Sequence, residues 1–256
     1  MNSYYKELIS RNFAFIDESL QEKIKDCNLF FAGCGLGSYI AELAVRTGFE
    51  NFTLADNDVV EISNLNRQTY LTGRVGEKKV DALAEHLLGI NPNLNIKKIS
   101  SKIENILEIS DVLNFSSVVI NSIDINKIYF ELIYQSHERG IPLILPFNIG
   151  YGGLSIWIPP AYRELNNFME LVGSSSSDLD IIEKLAMAGE FSPAKYLVSG
   201  LEKVKMGIKS RGYNPQIAIA SFTVSAEVIA CVINYLSNES PQSEKKLFYF
   251  DWKEGT

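Results

Sequence analysis

The chain has 256 residues, 46% hydrophobic and 21% charged, with 17 Gly and 8 Pro, a composition that excludes disorder and collagen and can fill a sizeable core. Its formal net charge of −7 argues against a nucleic-acid partner, which calls for a basic surface to neutralise phosphates.

The polar stretch Asp17 to Asp26 suits a helix, and it leads into the apolar run Asn28 to Ala32, which reads as a first buried strand of a parallel sheet. Ser38 to Thr47 places Ile40, Leu43 and Ala44 at helical spacing before Gly48, a helix with a glycine cap. Asn51 to Ala55 is the second strand. Helical spacing returns over Glu77 to Leu88 and stops at Gly89 and Asn91-Pro92. Leu94 to Ile99 is a third strand, Ser117 to Ile120 a fourth, and Asn126 to Arg139 a helix. Pro142 to Asn148 is a strand that continues through Tyr151-Gly-Gly into Leu154 to Ile158.

That alternation predicts an α/β fold, a doubly wound, Rossmann-like, mostly parallel sheet. After Pro159-Pro160 come a serine run at Ser174 to Ser177, a short helix at Asp178 to Ala188 and a mixed, lysine-bearing stretch from Ser192 to Arg211. Residues 159–214 are therefore expected to be a crossover excursion from one domain spanning 1–256, whose core is about 10–158 and 215–251. Pro215 to Leu236 reads as a long apolar helix and Lys246 to Asp251 as a terminal strand.

Cys27, Cys34 and Cys231 stand apart without a CxxC pair, and only His86 and His137 are present. No structural zinc is expected. The odd cysteine count and the lack of a basic-then-apolar leader over Met1 to Leu20 fit a reducing, cytoplasmic location. No apolar run reaches the roughly 18 residues that would span a bilayer, so no membrane partner is expected.

Chemistry concentrates in two places. The loop Gly33-Cys-Gly-Leu-Gly-Ser38 joins the first strand to the first core helix. There Gly33, Gly35 and Gly37 would let backbone and helix terminus approach a phosphate, or serve only as a tight turn. Asp56 ends the second strand, where its carboxylate can accept from a ribose hydroxyl or cap a turn. Asp124 follows the fourth strand at the carboxyl edge of the sheet, where it can hold Mg²⁺ or cap the next helix.

The stretch Asp56-Asn-Asp-Val-Val-Glu-Ile-Ser-Asn-Leu-Asn-Arg-Gln68, followed by Gly76-Glu-Lys-Lys79, resembles the ATP-binding domain of the ubiquitin-activating-enzyme superfamily, of ThiF/MoeB type. The resemblance covers about Ser10 to Ile158 well and Pro215 to Asp251 loosely. It implies ATP and Mg²⁺ as cofactors, with Gly33, Gly35, Gly37, Asp56, Ser63, Asn64, Leu65, Asn66, Arg67, Gln68, Lys79 and Asp124 around the nucleotide. Arg67, Lys79 and Asp124 are the implied catalytic residues, Asp124 as the metal ligand. Arg11 resembles an arginine that family members lend to the partner subunit's ATP, which implies a homodimer. The implied reaction is adenylylation of a carboxylate, that of a small ubiquitin-like or sulfur-carrier protein or a peptide ending in glycine.

The sequence departs from the family's thioester-forming members because no cysteine lies between Tyr151 and Gln216. The three that exist read as buried thiols. Lys203, Lys205, Lys209 and Arg211 form a basic patch, either a solvated face or a dock for an acidic partner. Two other functions remain open from the residues alone. A dinucleotide-dependent oxidoreductase would use the glycine loop and Asp56 but leaves Ser63 to Gln68 and Lys79 unexplained. A non-catalytic docking module of the same fold is the second.

Overall fold

The computed structural model describes residues 3–238 and 243–255. A short helix α1 (Ser3–Leu8) precedes α2 (Glu18–Asp26), whose N-terminus is capped where the Asp17 carboxylate accepts from the Leu20 amide. Strand β1 (Asn28–Ala32), helix α3 (Gly37–Thr47) and strand β2 (Asn51–Ala55) form the first βαβ unit. Gly48 ends α3 at φ 109°, and a Cβ there would stand 2.4 Å from Gln21 Nε2, so glycine is required for both conformation and space.

Helix α4 (Lys79–Leu88), strand β3 (Asn95–Ile99), the short helix α5 (Ser110–Phe115) and strand β4 (Val118–Asn121) complete the first half. Then come α6 (Lys127–Glu138), β5 (Leu143–Ile149) and β6 (Gly152–Ile158). The excursion folds as α7 (Leu165–Val172), α8 (Asp178–Met187) and α9 (Lys195–Arg211) before α10 (Ala218–Leu236) and β7 (Lys246–Asp251) return to the sheet.

The strands form one seven-stranded sheet in the order β3-β2-β1-β4-β5-β6-β7. The first five pair in parallel, and β6 and β7 close the sheet antiparallel. The expected doubly wound, mostly parallel sheet is borne out. Successive side chains of a strand point to opposite faces, and β1 shows it. Leu29 and Phe31 join Ile40, Leu83, Val228 and Val232 on one face. Phe30 and Ala32 join Leu113, Ile128, Leu132 and Ile181 on the other.

Three features depart from the sequence reading. Residues 195–211 are a helix where the sequence predicts a mixed stretch, and residues 165–172 are a helix where it marks no element. A short helix also stands at 110–115, where the sequence pattern marks none. Finally, Ala218–Leu236, 19 residues with mean hydropathy 1.7, is long and apolar enough by length and composition to cross a membrane, so the expectation of no such run is corrected. In this fold that helix packs against β5, β6 and α3.

Candidate active site

In a doubly wound sheet ligands bind where strand order reverses, outside the carboxyl ends of the strands. Here that point lies between β1 and β4, which neighbour each other while leading to opposite sides. The glycine loop leaves β1 at Gly33, whose φ is 98° and where an added Cβ would sit 2.6 Å from the Ser122 carbonyl oxygen. Ser122 follows β4, and its Oγ lies 3.2 Å from the Ala32 carbonyl and 3.1 Å from that of Gly33. The exits of β1 and β4 are thereby stitched together, and Asp124 stands two residues beyond the stitch.

From the other side, Asp56 Oδ2 accepts from the Cys34 amide at 2.8 Å and Oδ1 from the Asp58 amide at 2.8 Å. The turn-capping role left open for Asp56 is therefore present. Tyr70 donates its hydroxyl to the Cys34 carbonyl at 2.7 Å, and Ser38 Oγ donates to the Gly35 carbonyl while accepting from the Thr69 amide. The loop is held on three sides by neutral or acidic groups. Such a fixed backbone presents its donors without reorganisation.

The segment after β2 carries the motif. Glu61 and Asn64 form a reciprocal capping box that opens a short 3-10 turn, with Asn64 buried. Ser63 Oγ bonds the Glu61 carboxylate, and Leu65 packs on the core. Gln68 is buried, and its Nε2 lies 3.4 Å from where a Cβ on Gly35 would stand. Its Oε1 is buried without a hydrogen-bond partner. A buried orphan acceptor costs about 1–3 kcal/mol, so a donor is called for beside the glycine loop, a place that a ligand hydroxyl can fill.

Arg67 is half-buried and pairs with no carboxylate among the described residues. Nη1 donates to the Ser63 carbonyl at 2.7 Å and to Asn66 Oδ1 at 2.8 Å. Its pKa is lowered by burial. Lys79, buried at the head of α4, bonds Asp58 Oδ2 at 2.9 Å across a carboxylate that is itself 59% exposed. The lysine is buried and the carboxylate is open to water, so Asp58 can rehydrate when an incoming anion takes its place on Lys79. Arg74 is neutralised by Glu77 and Glu85, and Lys78 donates to the Asn57 carbonyl.

The alternative role of Asp124 as a helix cap is corrected: α6 is capped by Asn126, whose Oδ1 accepts from the Tyr129 amide. Asp124 has no hydrogen bond or ion pair among the described residues. Asp178, at the head of α8, has none either. Burial and then the Asp124 charge push its carboxyl up to about 6. Two carboxylates near enough for one charge to raise the other suit a hard divalent ion, which takes one or two protein carboxylates and shares the rest of its shell with phosphates and water. No group of three or more His, Cys, Asp or Glu is placed to hold a metal among the described residues.

Arg11 lies exposed in the turn after α1, without a hydrogen bond or ion pair among the described residues, and near the exposed Phe13 and Phe15. It does not join the glycine-loop network of its own chain. The three cysteines are free and buried. Burial pushes Cys27 and Cys231 up to about 12 and Cys34 up as well, as expected for structural thiols. Lys205 pairs with Glu183 and Glu202, while Lys203, Lys209 and Arg211 have no ion pair among the described residues.

Four residues of the site escaped the sequence reading. Asp58 belongs to the same motif as Asp56 and could have been found there. Ser122 follows from pairing β1 with β4. Asp178 comes from the excursion and Gln216, which bonds Arg67, from the link that follows it, where no local signal marks them.

The ThiF family model matches residues 9–256. The chain is 27% identical over 216 residues to the molybdopterin-synthase adenylyltransferase of Haemophilus influenzae, covering 80% of this chain and 84% of that protein. It is 30% identical over 154 residues to the sulfur carrier protein ThiS adenylyltransferase of Bacillus subtilis, covering 58% of this chain and 45% of that one. Among solved structures, PaaA superposes with a TM-score of 0.69 at 20% identity, covering 100% of this chain and 82% of that chain. Escherichia coli MccB with ATP superposes at 0.65 and 19% identity, covering 100% and 70%. At those identities the structures speak for the fold, while the family model spans nearly the whole sequence, and on that match this chain belongs to the ThiF family.

Proposed function

We propose that this chain is an ATP-dependent adenylyltransferase that activates a carboxylate. The observation that supports the reading is the ThiF-family match over residues 9–256, together with an arginine without a carboxylate partner, Arg67, a buried lysine, Lys79, and Asp124, which has no hydrogen bond or ion pair among the described residues. An oxygen of the acid substrate attacks the α-phosphorus of ATP, the bond from that phosphorus to the bridging oxygen breaks, and pyrophosphate leaves with an acyl-adenylate formed. Such a reaction needs alignment and charge neutralisation rather than a covalent protein intermediate. Gly33 to Gly37 admit the nucleotide, Gln68 and Asp56 face its sugar side, and Arg67 and Lys79 neutralise its phosphates. Asp124, with Asp178, would hold Mg²⁺, which when bound offsets phosphate charge.

Relatives named for molybdopterin synthase and for ThiS, and an MccB solved in complex with N-formylated MccA, support a protein or peptide carboxylate, a C-terminal glycine of a sulfur-carrier type being the foremost candidate. The acyl-adenylate would pass to an outside nucleophile, since burial of all three cysteines speaks against a thiol of this chain. Partner-lent Arg11 would make the working form a homodimer.

The test is calorimetric titration with ATP and Mg²⁺, with NAD and FAD as comparison ligands, on the wild type and Asp124→Ala. Binding of ATP that weakens in the variant is expected. Binding of NAD or FAD instead would revive the oxidoreductase, and silence with all three would favour the docking module.

A further inference from the structure

The excursion rejoins the sheet through Tyr213-Asn-Pro-Gln-Ile217, the short link between α9 and α10. Within it Gln216 reaches back to the motif. Its side-chain Oε1 accepts from Arg67 Nε at 2.5 Å, and its backbone carbonyl accepts from Asn66 Nδ2 at 3.2 Å. Both bonds cross about 150 residues of sequence, so they tie the exit of the excursion directly to the motif segment after β2.

The acceptors around Arg67 are all neutral: the Gln216 amide oxygen, the Asn66 amide oxygen and the Ser63 carbonyl. They fix two of the guanidinium nitrogens. No acceptor among the described residues takes Nη2, and no carboxylate cancels the charge. A carboxylate in the place of Gln216 would hold Arg67 more tightly, because charge-assisted bonds are the stronger ones, but it would also compete with any incoming anion. A neutral acceptor orients the fork and leaves its charge free.

Resting on the adenylyltransferase reading, we propose that Gln216 is a positioning residue for phosphate binding, which holds Arg67 with an uncharged acceptor so that Nη2 and the full positive charge face an ATP phosphate. Two isosteric variants separate positioning from mere structure. Gln216→Glu keeps the size and the acceptor and adds only charge. Gln216→Met keeps the size and removes the acceptor. ATP affinity is measured by calorimetry with Mg²⁺ at two salt concentrations, turnover by ATP–pyrophosphate exchange with a sulfur-carrier protein ending in glycine as the acid, and stability by thermal unfolding.

Gln216→Glu should weaken ATP binding by about tenfold, the scale of one charge-assisted bond, with the ratio to wild type shrinking at high salt and the melting temperature unchanged or raised. Gln216→Met should lower exchange by about tenfold with a smaller change in ATP affinity, because the charge remains and only its aim is lost. Wild-type affinity and exchange in both variants would overturn the proposal while leaving the adenylyltransferase reading intact. Loss of melting temperature and function in proportion, in both variants, would overturn it equally, since that is the mark of a structural contact. A wild type that binds no ATP and exchanges no pyrophosphate would bring down both.

Discussion

Glu227 lies on the side of α10 that faces β6, where its Oε2 accepts from Ser155 Oγ at 2.9 Å and its Oε1 has no partner. Burial pushes its carboxyl from 4.5 up to about 7. A group whose pKa is raised on folding stabilises the fold below its unfolded value and ceases to do so as the pH climbs through its folded one. The contribution of Glu227 should therefore be complete below about pH 4.5 and fall away up to about pH 7. Gln at this position can still accept from Ser155 without a charge. Glu227→Gln should match the wild type in urea unfolding at pH 4.5 and exceed it by on the order of 2 kcal/mol at pH 8; equal stabilities at both pH values would refute the buried-acid account. At the glycine loop the expectation has the opposite sign. Gly33→Ala must bear both a left-handed backbone and a backbone oxygen at 2.6 Å from its Cβ, and a loss of about 1–3 kcal/mol follows, read in the same unfolding experiment, together with weakened ATP binding.

Helices α8 and α9 are neighbours in the excursion but rest on different footings. Helix α8 buries Ile181, Ile182 and Leu185 and is capped by Ser177, whereas α9 buries none of its 17 residues. Leu185→Ala should cost about 2–5 kcal/mol, while Lys203→Glu with Lys209→Glu should stay within about 0.5 kcal/mol of the wild type; denaturant midpoints check both. The same contrast explains what is readable from sequence. The helix at α8 announces itself by a serine cap and an apolar stripe. Helix α7 also carries a readable stripe, Leu165, Phe168, Met169 and Val172, obscured by the prolines ahead of it. Helix α9 also has a stripe, Leu197, Leu201, Val204 and Ile208, but it is only half-buried and Gly200 and Gly207 interrupt the helix, and its cap comes from afar: the Glu254 carboxylate accepts from the Lys195 and Tyr196 amides. A cap supplied from the opposite end of the chain leaves no trace in the local sequence.

For the whole molecule, the parallel core is legible because its strands are short apolar runs between amphipathic helices, and the candidate site is legible because its motif is contiguous from Asp56 to Lys79. Gln216 and Asp178 are not, since only the path of the excursion brings them to Arg67 and Asp124. Arg11 poses the remaining problem at this scale. A chain of net charge −7 repels a polyphosphate at long range, so each added cation at the phosphates has leverage, yet Arg11 is exposed and has no ion pair among the described residues. If a partner protomer takes it, Arg11→Ala and Asp124→Ala should each lack pyrophosphate exchange alone but complement each other. Random association of equal amounts makes about half of the dimers mixed, each with one complete site, so about a quarter of wild-type activity should return. Action within one chain would leave every mixed dimer with one defect in each site and return nothing. Sedimentation of the same mixtures separates that outcome from a failure to associate, because only mixed dimers that form and stay silent speak against the shared site.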